Sequence, residues 1–444
     1  MALFYSDKAH KPRATALELT IDTLDAHGLG VGRANNKTWF VENALPHERV
    51  QARITQEKRH FGHARAVNIT QPSNERITPK CGFYHRCGGC QLQHMPESLQ
   101  RNLKQTALFD RLQALQSAPI QGQAIQHGNA WQYRRRAHLS LNVNRKTNTL
   151  AMGFRAKGSN QIVPINHCEV LTPALNALLA PLQALFSAWQ HKTRLGHIEL
   201  TEAANGIALL LRHVGEIGEK DKVRLLEFAK YHHLLLFVSV QENYIQQWHG
   251  EAPYYQLANG QKLYFAIRDF IQVNAEMNQA LIDTALDWLH LTRADTVLDL
   301  FCGIGNFTLP LAQHCQSAVG VEGVKAMVER ATFNAKCNKC DNIAFYQADL
   351  AQDFSAQPWA QNHFTKVLLD PPRAGAAFVI PHLCKLKPRE IVYVSCHSAT
   401  LARDSEMLIA AGFEMTQCVA VDMFPQTGHV EAMAHFRQRA GSRR

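Results

Sequence analysis

Asp299-Leu300-Phe301-Cys302-Gly303-Ile304-Gly305-Asn306 decides the fold of the last third of this chain. The segment follows an apolar run at residues 297–300 and opens a helical pattern, so it predicts a loop between a strand and a helix. Its glycines let the backbone approach a ligand closely, and amides at a helix start favour negative groups. The third glycine of a dinucleotide-binding fingerprint is absent, which disfavours NAD.

Strand-length apolar runs alternate with helical patterns from about residue 270 onward. They lie at residues 296–300, 317–321, 343–347, 367–369 and 390–394. This alternation predicts a doubly wound, mostly parallel α/β sheet of the Rossmann-like type. Such sheets bind ligands at the carboxyl ends of their strands, so residues that follow these runs are the candidates for a site.

Two acidic residues follow the next two strands. Glu322 ends the second strand, where a carboxylate can accept hydrogen bonds from ribose hydroxyls, and Asp349 follows the third, near the expected adenine. An isolated acid at such a position commonly only caps a helix. Together with the glycine loop they occupy three successive strand ends, and this pattern predicts binding of S-adenosylmethionine.

Asp370-Pro371-Pro372-Arg373 follows the fourth strand. Methylases of exocyclic base nitrogens carry a related segment, in which an aromatic side chain after the prolines stacks on the base. Arg373 stands at that place here, so methylation of an amino group is disfavoured. Asp370 is instead predicted to hydrogen-bond uracil near N3–H and O4.

Cys396 follows the fifth strand, and Glu431 comes later in Gly428-His429-Val430-Glu431. Pyrimidine C5 is a poor nucleophile until a thiolate adds to C6, and a base must afterwards remove the C5 proton. We therefore predict Cys396 as the nucleophile and Glu431 as the base. Most lone cysteines are small buried hydrophobes. That interpretation is given to Cys302, Cys315, Cys337, Cys340, Cys384 and Cys418.

Positive charge is unevenly distributed along the chain. The 444 residues carry 47 Lys and Arg against 37 Asp and Glu, a net charge of +10. From Gln279 onward the counts are 15 and 16, so residues 1–278 hold 32 basic against 21 acidic residues. A polyanion-binding module joined to a domain that uses a small molecule would show this asymmetry. The alternative is a basic protein without a nucleic-acid partner. The length predicts two to four domains.

The chain is predicted to begin with a small β-barrel of the OB kind. Five short strands are expected between about residues 14 and 69, with a turn at residues 28–32. Basic residues lie close to Phe61, which suits contact with an RNA backbone, although a solvated hairpin is the alternative. These residues are Arg53, Lys58, Arg59 and His60.

Two further features precede the α/β pattern. An amphipathic helix is expected near residues 98–115. Arg134-Arg135-Arg136 follow aromatic residues, and this run predicts either a phosphate contact or a solvated strand edge.

A cysteine cluster follows the barrel. Cys81, Cys87 and Cys90 are spaced C-x5-C-x2-C, and Cys168 lies far downstream. Four thiolates of this kind suit either zinc or an iron–sulfur cluster, and the spacing alone does not choose between them.

No targeting or membrane segment is expected. The first eight residues lack the apolar run of a signal peptide, and no apolar stretch is long enough to span a bilayer. The chain is therefore expected to be cytoplasmic, with no membrane partner. Its eleven cysteines are expected to serve metal binding, catalysis or burial rather than disulfides.

At these residues the chain resembles the RNA uracil-C5 methyltransferase family, and within it the bacterial type that acts on 23S ribosomal RNA. The resemblance covers nearly the whole chain. It implies a TRAM-type RNA-binding barrel at residues 12–75, a central α+β domain with the cysteine cluster at 76–268, and an S-adenosylmethionine-dependent methyltransferase domain at 269–444. It also implies 23S rRNA as the partner and an extruded uridine as the target. We expect a monomer and no DNA partner.

The same resemblance implies roles for individual residues. Cys396 matches the nucleophile and Glu431 the proton-abstracting base. Contacts with the cofactor are implied for Gln272, Phe301, Asn306, Glu322, Asp349 and Asp370. A [4Fe–4S] cluster is implied for Cys81, Cys87, Cys90 and Cys168.

The chain departs from the family at two places. The family usually has Asn-Pro after the catalytic cysteine, whereas His397-Ser398 follow it here, which bears on the rigidity of that loop. Where Asp349 stands, the 23S type can carry Asn.

Three other functions are alternatives to this one. A transfer-RNA enzyme with the same chemistry is expected to lack the β-barrel and the cysteine cluster. A cytosine-C5 methylase usually places its cysteine beside a proline. A non-catalytic rRNA-binding or assembly protein with a retained methylase fold is disfavoured by the presence of Cys396 and Glu431.

Overall fold

The computed structural model describes residues 16–241 and 244–439, which form two compact units. Among the described residues, the first comprises residues 16–84, 90–104 and 426–428, and the second comprises residues 85–89, 105–241, 244–425 and 429–439. The predictions for the first eight residues and for the outer domain limits at residues 12 and 444 fall outside the described residues. Among the described helices, none combines the length and the apolar composition that crossing a membrane requires.

The first unit contains a curled six-stranded sheet. Its strands are β1 (Ala16–Thr20), β2 (Thr23–Leu24), β3 (Gly30–Ala34), β4 (Lys37–Glu42), β5 (Arg49–Glu57) and β6 (Phe61–Gln71), in the order β1-β5-β6-β4-β3-β2. A Cβ on Gly32 of β3 would lie 2.3 Å from the carbonyl oxygen of Thr20 in β1, so the sheet curls until these two strands approach. Six strands form where five were predicted. The two-residue strand β2 forms at Thr23–Leu24, and the turn expected at residues 28–32 gives way to β3 at Gly30.

The middle of the chain forms a seven-stranded mixed sheet. Helix α1 (Glu97–Gln113) begins in the first unit and ends in the second, close to its predicted limits. The following elements are β7 (Gln121–Gly122), β8 (Arg136–Asn144), β9 (Thr149–Arg155), β10 (Ile162–Pro164), α2 (Pro173–Ser187), β11 (Leu195–Ala203), β12 (Gly206–His213), α3 (Glu219–Tyr231), β13 (Leu234–Gln241), β14 (Tyr244–His249), β15 (Tyr254–Gln256) and β16 (Lys262–Tyr264). The sheet order is β10-β9-β8-β11-β12-β13-β14, and β15 pairs with β16 alone.

The last third forms the predicted α/β sheet. Its elements are α4 (Ala275–Leu289), β17 (Thr296–Leu300), α5 (Thr308–Ala312), β18 (Ser317–Glu322), α6 (Lys325–Cys337), β19 (Ile343–Gln347), β20 (Lys366–Leu369), α7 (Ile380–Lys385), β21 (Glu390–Ser395), α8 (Ser398–Ala410), β22 (Phe413–Val421) and β23 (Glu431–Gln438). The order is β19-β18-β17-β20-β21-β23-β22-β7. The first five of these strands are parallel and β23 is antiparallel to both of its neighbours.

This sheet is buried on both faces. Leu298 and Leu300 of β17 belong to one apolar cluster, while Val297 belongs to the cluster on the other face. Alternation of this kind follows from the two-residue period of a strand, and burial of both faces makes the strand an uninterrupted apolar run. The five predicted strands therefore match the observed ones to within one residue at each end. Their carboxyl ends define one edge of the sheet.

Candidate active site

The pairing of two strands places Cys396 beside Glu431. Cys396 directly follows β21, and Glu431 is the first residue of the antiparallel strand β23. The last paired residues of this ladder are Ser395 and Ala432, so the next step along both strands sets Cys396 opposite Glu431. Residues directly opposite in an antiparallel pair have neighbouring side chains.

Glu431 is a buried carboxyl group. Only 5% of the residue is exposed, and no described residue donates a hydrogen bond to its Oε2 atom. Burial raises the pKa of Glu431 to about 8, and the negative charge of Asp370 contributes in the same direction. A carboxyl group with a pKa near the working pH is suited to accept and release a proton.

Asp370 and Arg373 lie close enough to Cys396 to act on its charge. Burial raises the pKa of Asp370 to about 7. Desolvation raises the pKa of the Cys396 thiol, and the charges of Glu431 and Asp370 raise it further, whereas the charge of Arg373 acts in the opposite direction. Cys396 is nevertheless an exposed residue.

Side chains brace the turn that carries Cys396. Ser395 Oγ donates to the carbonyl of His397 at 3.2 Å and accepts from the His397 amide at 3.2 Å. His397 is also the N-cap of α8, where its Nδ1 accepts a hydrogen bond from the Thr400 amide at 3.3 Å. The loop is thus fixed without the usual Asn-Pro, because the imidazole takes the capping role that polar side chains provide at a helix start.

The glycine loop is tied to the end of the second strand. Gly303 and Gly305 have φ angles of 56° and 93°, which favour glycine. The Gly303 amide donates to Glu322 Oε2 at 3.3 Å, and Val324 donates to Oε1 at 3.0 Å. Phe301 also has a positive φ of 65°, an unfavourable conformation that commonly marks functional loops.

Asn306 is held by two residues outside the loop. Its Oδ1 accepts from Tyr255 Oη at 2.9 Å and from Asn278 Nδ2 at 3.1 Å, while its Nδ2 donates to Asn278 Oδ1 at 2.9 Å. Tyr255 and Asn278 were not predicted as site residues, since neither lies in a recognisable motif. The arrangement fixes the end of the glycine loop against α4 and β15.

Asp299 is a further buried acidic residue at this edge and was not among the predicted site residues. It is 1% exposed; its Oδ2 accepts from Thr308 Oγ1 at 2.5 Å, and no described residue donates to Oδ1. Burial raises its pKa to about 8, and the charges of Asp370 and Glu322 add to this effect. An acidic residue inside the apolar run of β17 was the signal that could have revealed it.

The arginine run braces the segment that carries Gln272. Arg135 is buried and donates from Nε to the Gln272 carbonyl at 2.8 Å. Arg136 donates to the carbonyl of Asp269 at 2.6 Å. These two arginines therefore donate to backbone carbonyls. Neither of the predicted roles, a phosphate contact or a solvated strand edge, describes this arrangement. Gln272 is 7% exposed, and its Oε1 accepts no hydrogen bond from a described residue.

The other predicted cofactor residues lie at the same sheet edge. Phe301 packs edge-on against Phe378, with 6.3 Å between the ring centres. Asp349 is exposed and accepts from the Ala351 amide at 3.0 Å, so its described hydrogen bond caps the following turn.

The four cysteines of the predicted cluster are all partly exposed. Cys81 and Cys90 belong to the first unit, and Cys87 and Cys168 belong to the second. The Gly89 amide donates to Cys87 Sγ at 3.4 Å, the type of contact that stabilises a thiolate. Thiol groups are the ligands that iron–sulfur clusters take.

A separate group consists of His138, His197 and Glu199, which each place one possible metal ligand within 4.8 Å of the others. Arg136 already donates to Glu199 at 3.1 Å, and the charge of Arg155 also acts on His138. Positive charge at this distance opposes a bound cation, so we assign the group to cross-strand ion pairing.

The strand order, the glycine loop after β17 and the polar groups at the carboxyl edge define a methyltransferase of the open α/β class. A sequence profile described as tRNA (Uracil-5-)-methyltransferase matches residues 98–439, and one described as TRAM domain matches residues 14–67. The chain belongs to the tRNA (uracil-5-)-methyltransferase family.

Two similar proteins extend along the whole chain. One from Haemophilus influenzae is 51% identical and covers 98% of this chain and 99% of its own length. One from Pasteurella multocida is 50% identical and covers 99% and 100%. Both are named 23S rRNA (uracil(1939)-C(5))-methyltransferase RlmD.

A solved structure shares the fold. The tRNA (uracil-54, C5)-methyltransferase of Pyrococcus abyssi, in complex with S-adenosyl-L-homocysteine, has a TM-score of 0.73 and 22% identity, and the match covers 95% of this chain and 100% of that one. The fold over nearly the full length is therefore common to an enzyme named for tRNA. The match contradicts the expectation that a transfer-RNA enzyme lacks the β-barrel. The expectation that it lacks the cysteine cluster stays a prediction.

Proposed function

We propose that this protein uses S-adenosylmethionine to methylate C5 of a uridine in 23S rRNA, the position equivalent to the uracil 1939 in the names of its relatives. The observation that carries the reaction is the placement of Cys396 opposite Glu431 at the carboxyl edge, with Asp370 beside both. Identity near 50% over the full length supports the choice of RNA.

The reaction begins at Cys396. Its thiolate adds to C6 of the extruded uracil, which forms an S–C6 bond and moves an electron pair into the C5–C4–O4 enolate. S-adenosylmethionine would supply the methyl group that C5 attacks; the bond between that methyl group and the sulfonium sulfur would break, and S-adenosylhomocysteine would be left. Glu431 then accepts the C5 proton, the C5–C6 double bond forms again, and the S–C6 bond breaks to return the thiolate.

Charged residues around Cys396 assist these reaction steps. Arg373 favours the thiolate form of Cys396, against the effect of the two carboxyl groups. Asp370 has a pKa of about 7, so its carboxyl group can donate a hydrogen bond when protonated and accept one when ionised. Either state can form a hydrogen bond near uracil N3 and O4. Asp370 is thus the proposed base-recognition residue.

The proposed cofactor site comprises the residues of the glycine loop and the next strand ends. Glu322 is oriented by two amides and retains lone pairs for ribose hydroxyls. Gln272 has an unsatisfied buried oxygen that a bound group would satisfy. The other proposed contacts are Phe301, Asn306, Asp349 and Asp370.

The first unit supplies the proposed RNA contact. Lys58 Nζ lies 5.1 Å from the centre of the Phe61 ring, and Phe40 stacks with His63 at 5.4 Å. Aromatic faces beside a cation suit stacked bases and phosphates. The domain limits at residues 12–75, 76–268 and 269–444, a monomeric state and a cytoplasmic location remain part of this proposal.

We include a [4Fe–4S] cluster held by Cys81, Cys87, Cys90 and Cys168. The partial exposure of all four thiols and the amide contact to Cys87 support it. None of the proposed reaction steps needs an electron, so the cluster would support the central domain.

A trapping assay tests the proposed function. The protein is incubated anaerobically with S-adenosylmethionine and 23S rRNA that contains 5-fluorouridine, and products are separated on a denaturing gel. Fluorine at C5 cannot leave as a proton, so a methylated adduct on Cys396 is expected. Cys337→Ala, which alters another exposed cysteine of the same domain, should still form the adduct, whereas Cys396→Ala should not.

The same assay with transfer RNA examines the nearest alternative. An adduct with tRNA and none with 23S rRNA would show that the substrate is tRNA, a result that the shared fold permits. No adduct with either RNA, from protein that binds S-adenosylmethionine, would favour a non-catalytic RNA-binding role.

A further inference from the structure

Helix α8 joins the two loops that carry Arg373 and Cys396. It begins two residues after Cys396, and Asp404 on its second turn is fully buried. Asp404 Oδ2 accepts from the Ala376 amide at 2.6 Å and from Tyr393 Oη at 2.6 Å. One carboxylate oxygen therefore connects the loop after β20 to strand β21.

Two neighbouring residues of α8 hold the same loop. Arg403 donates from Nη2 to the Ala374 carbonyl at 2.9 Å and from Nε to Asp404 Oδ1 at 2.8 Å. Thr400 Oγ1 lies 3.4 Å from the Arg373 carbonyl oxygen and 3.0 Å from that of His397, so its single proton is shared between these two acceptors. Residues three and four apart share one face of a helix, so these three side chains meet the loop together.

The loop fits closely against these side chains. Gly375 has a φ of +80°, and a Cβ there would lie 2.5 Å from Asp404 Oδ2 and 2.6 Å from Arg403 Nη2. Glycine is therefore required for both the backbone conformation and the space. Arg373 itself is exposed, so its position depends on how its backbone is held.

We propose that Thr400, Arg403 and Asp404 form a clamp that positions the Arg373 guanidinium beside the sulfur of Cys396. The three are positioning residues, since they act through Arg373. This role rests on the proposed function, in which Cys396 must become a thiolate. If the clamp opens, Arg373 moves away, and the thiolate loses its neighbouring positive charge.

The reactivity of Cys396 tests the clamp without RNA. Iodoacetamide modifies thiolates, and mass spectrometry of the peptide that contains Cys396 separates this thiol from the others. In Asp404→Asn, the alkylation rate at pH 7.5 is expected to fall about three- to tenfold, with the pH profile displaced upward. Arg403→Met, which alters a half-exposed side chain and threatens folding less, should show a smaller fall in the same direction.

Two comparisons distinguish the loss of the Arg373 position from a general loosening of the fold. Asp295→Asn alters another buried, hydrogen-bonded Asp at the opposite edge of the sheet and should leave the Cys396 profile unchanged. In an Arg373→Ala background, Asp404→Asn should have no additional effect, because the charge that the clamp positions is gone.

Unchanged alkylation in folded Asp404→Asn and Arg403→Met would overturn the clamp. So would an equal decrease with and without Arg373. Because the assay needs neither RNA nor cofactor, its failure is distinct from failure of the trapping assay. A displaced profile with no RNA adduct would retain the clamp and remove the proposed reaction.

Discussion

The pKa values of buried carboxyl groups shift in opposite directions at the two edges of the α/β sheet. At the amino edge, Asp295 accepts hydrogen bonds from Thr292 and Thr365, and these lower its pKa although burial alone would raise it. At the carboxyl edge, burial raises the pKa of Asp299 and Glu431 to about 8.

The same contrast holds for the ion pairs. At the amino edge, Glu390 lies 3.3 Å from Lys366 and 3.6 Å from both His435 and Arg437. At the carboxyl edge, Glu431 and Asp299 have no ion pair among the described residues. Glu431 Oε2, Asp299 Oδ1 and Glu390 Oε2 all accept no hydrogen bond from a described residue, so the ion pairs are what distinguish the two edges. Identical chemical groups on one scaffold thus stabilise the fold at one edge and remain available for ligands at the other.

Glu431→Gln should give the largest effect and the sharpest contrast between the edges. Turnover is expected to fall about 10²–10⁴-fold, because the amide cannot accept the C5 proton. Methyl transfer precedes this step, so a covalent adduct with ordinary rRNA should accumulate on denaturing gels. Glu390→Gln at the amino edge is the matched control and should keep normal turnover. Normal product release by Glu431→Gln would remove the assignment of the base.

The pH dependence of the wild-type reaction rate should reflect the raised pKa values of the groups at the carboxyl edge. Glu431 must be deprotonated to act, and its pKa is about 8, so the single-turnover rate should rise up to about tenfold per pH unit below that value. The raised pKa of Cys396 acts in the same direction, since thiolate also increases with pH. Rapid-quench rates between pH 6 and 9 provide the measurement. A rate that falls with pH would contradict this.

Lys366→Met should cost stability at the amino edge and leave chemistry intact. Lys366 donates to the Leu289 carbonyl and pairs with Glu390, and both are largely buried. Removal of Lys366 leaves Glu390 with only its longer contacts to His435 and Arg437, and this is expected to cost about 2–4 kcal/mol in urea unfolding. Lys385→Met breaks an exposed pair with Asp353 and should cost less than about 1 kcal/mol. Loss of methylation by folded Lys366→Met would contradict the division between the edges.

The smallest effect is a pH-dependent difference in stability between wild type and Glu431→Gln. The folded-state pKa of Glu431 is raised from 4.5 to about 8, so its stabilising contribution is complete below pH 4.5 and is lost as the pH rises through about 8. Relative to wild type, Glu431→Gln should therefore gain about 1–3 kcal/mol between pH 4.5 and 8.5. Denaturant midpoints across this range provide the measurement, and a constant difference would refute the raised pKa.

Sequence predicted the α/β sheet well because its parallel strands are buried on both faces. Each appears as an apolar run that ends where the next loop begins, so Cys396 and Asp370 could be placed at one edge. The pairing of β21 with β23, which sets Glu431 opposite Cys396, depends on sheet topology and has no local signal.

Other parts of the site depend on contacts between distant segments. The charge of Arg135 and Arg136 predicted surface roles, but both donate to backbone carbonyls more than 130 residues away, where local sequence gives no indication. Asp404 looks like an ordinary polar residue of an amphipathic helix, and only its full burial identifies it.

The ladder between β21 and β23 also determines which changes of length the enzyme can tolerate. Side chains alternate between the faces of a sheet with a period of two, so a shift of one residue within β23 would turn Glu431 away from Cys396. Insertions in the connection between α8 and β22 leave this register untouched. Variation in length among related enzymes should therefore accumulate outside the ladder, and a single deletion within it should inactivate the enzyme while the sheet still forms.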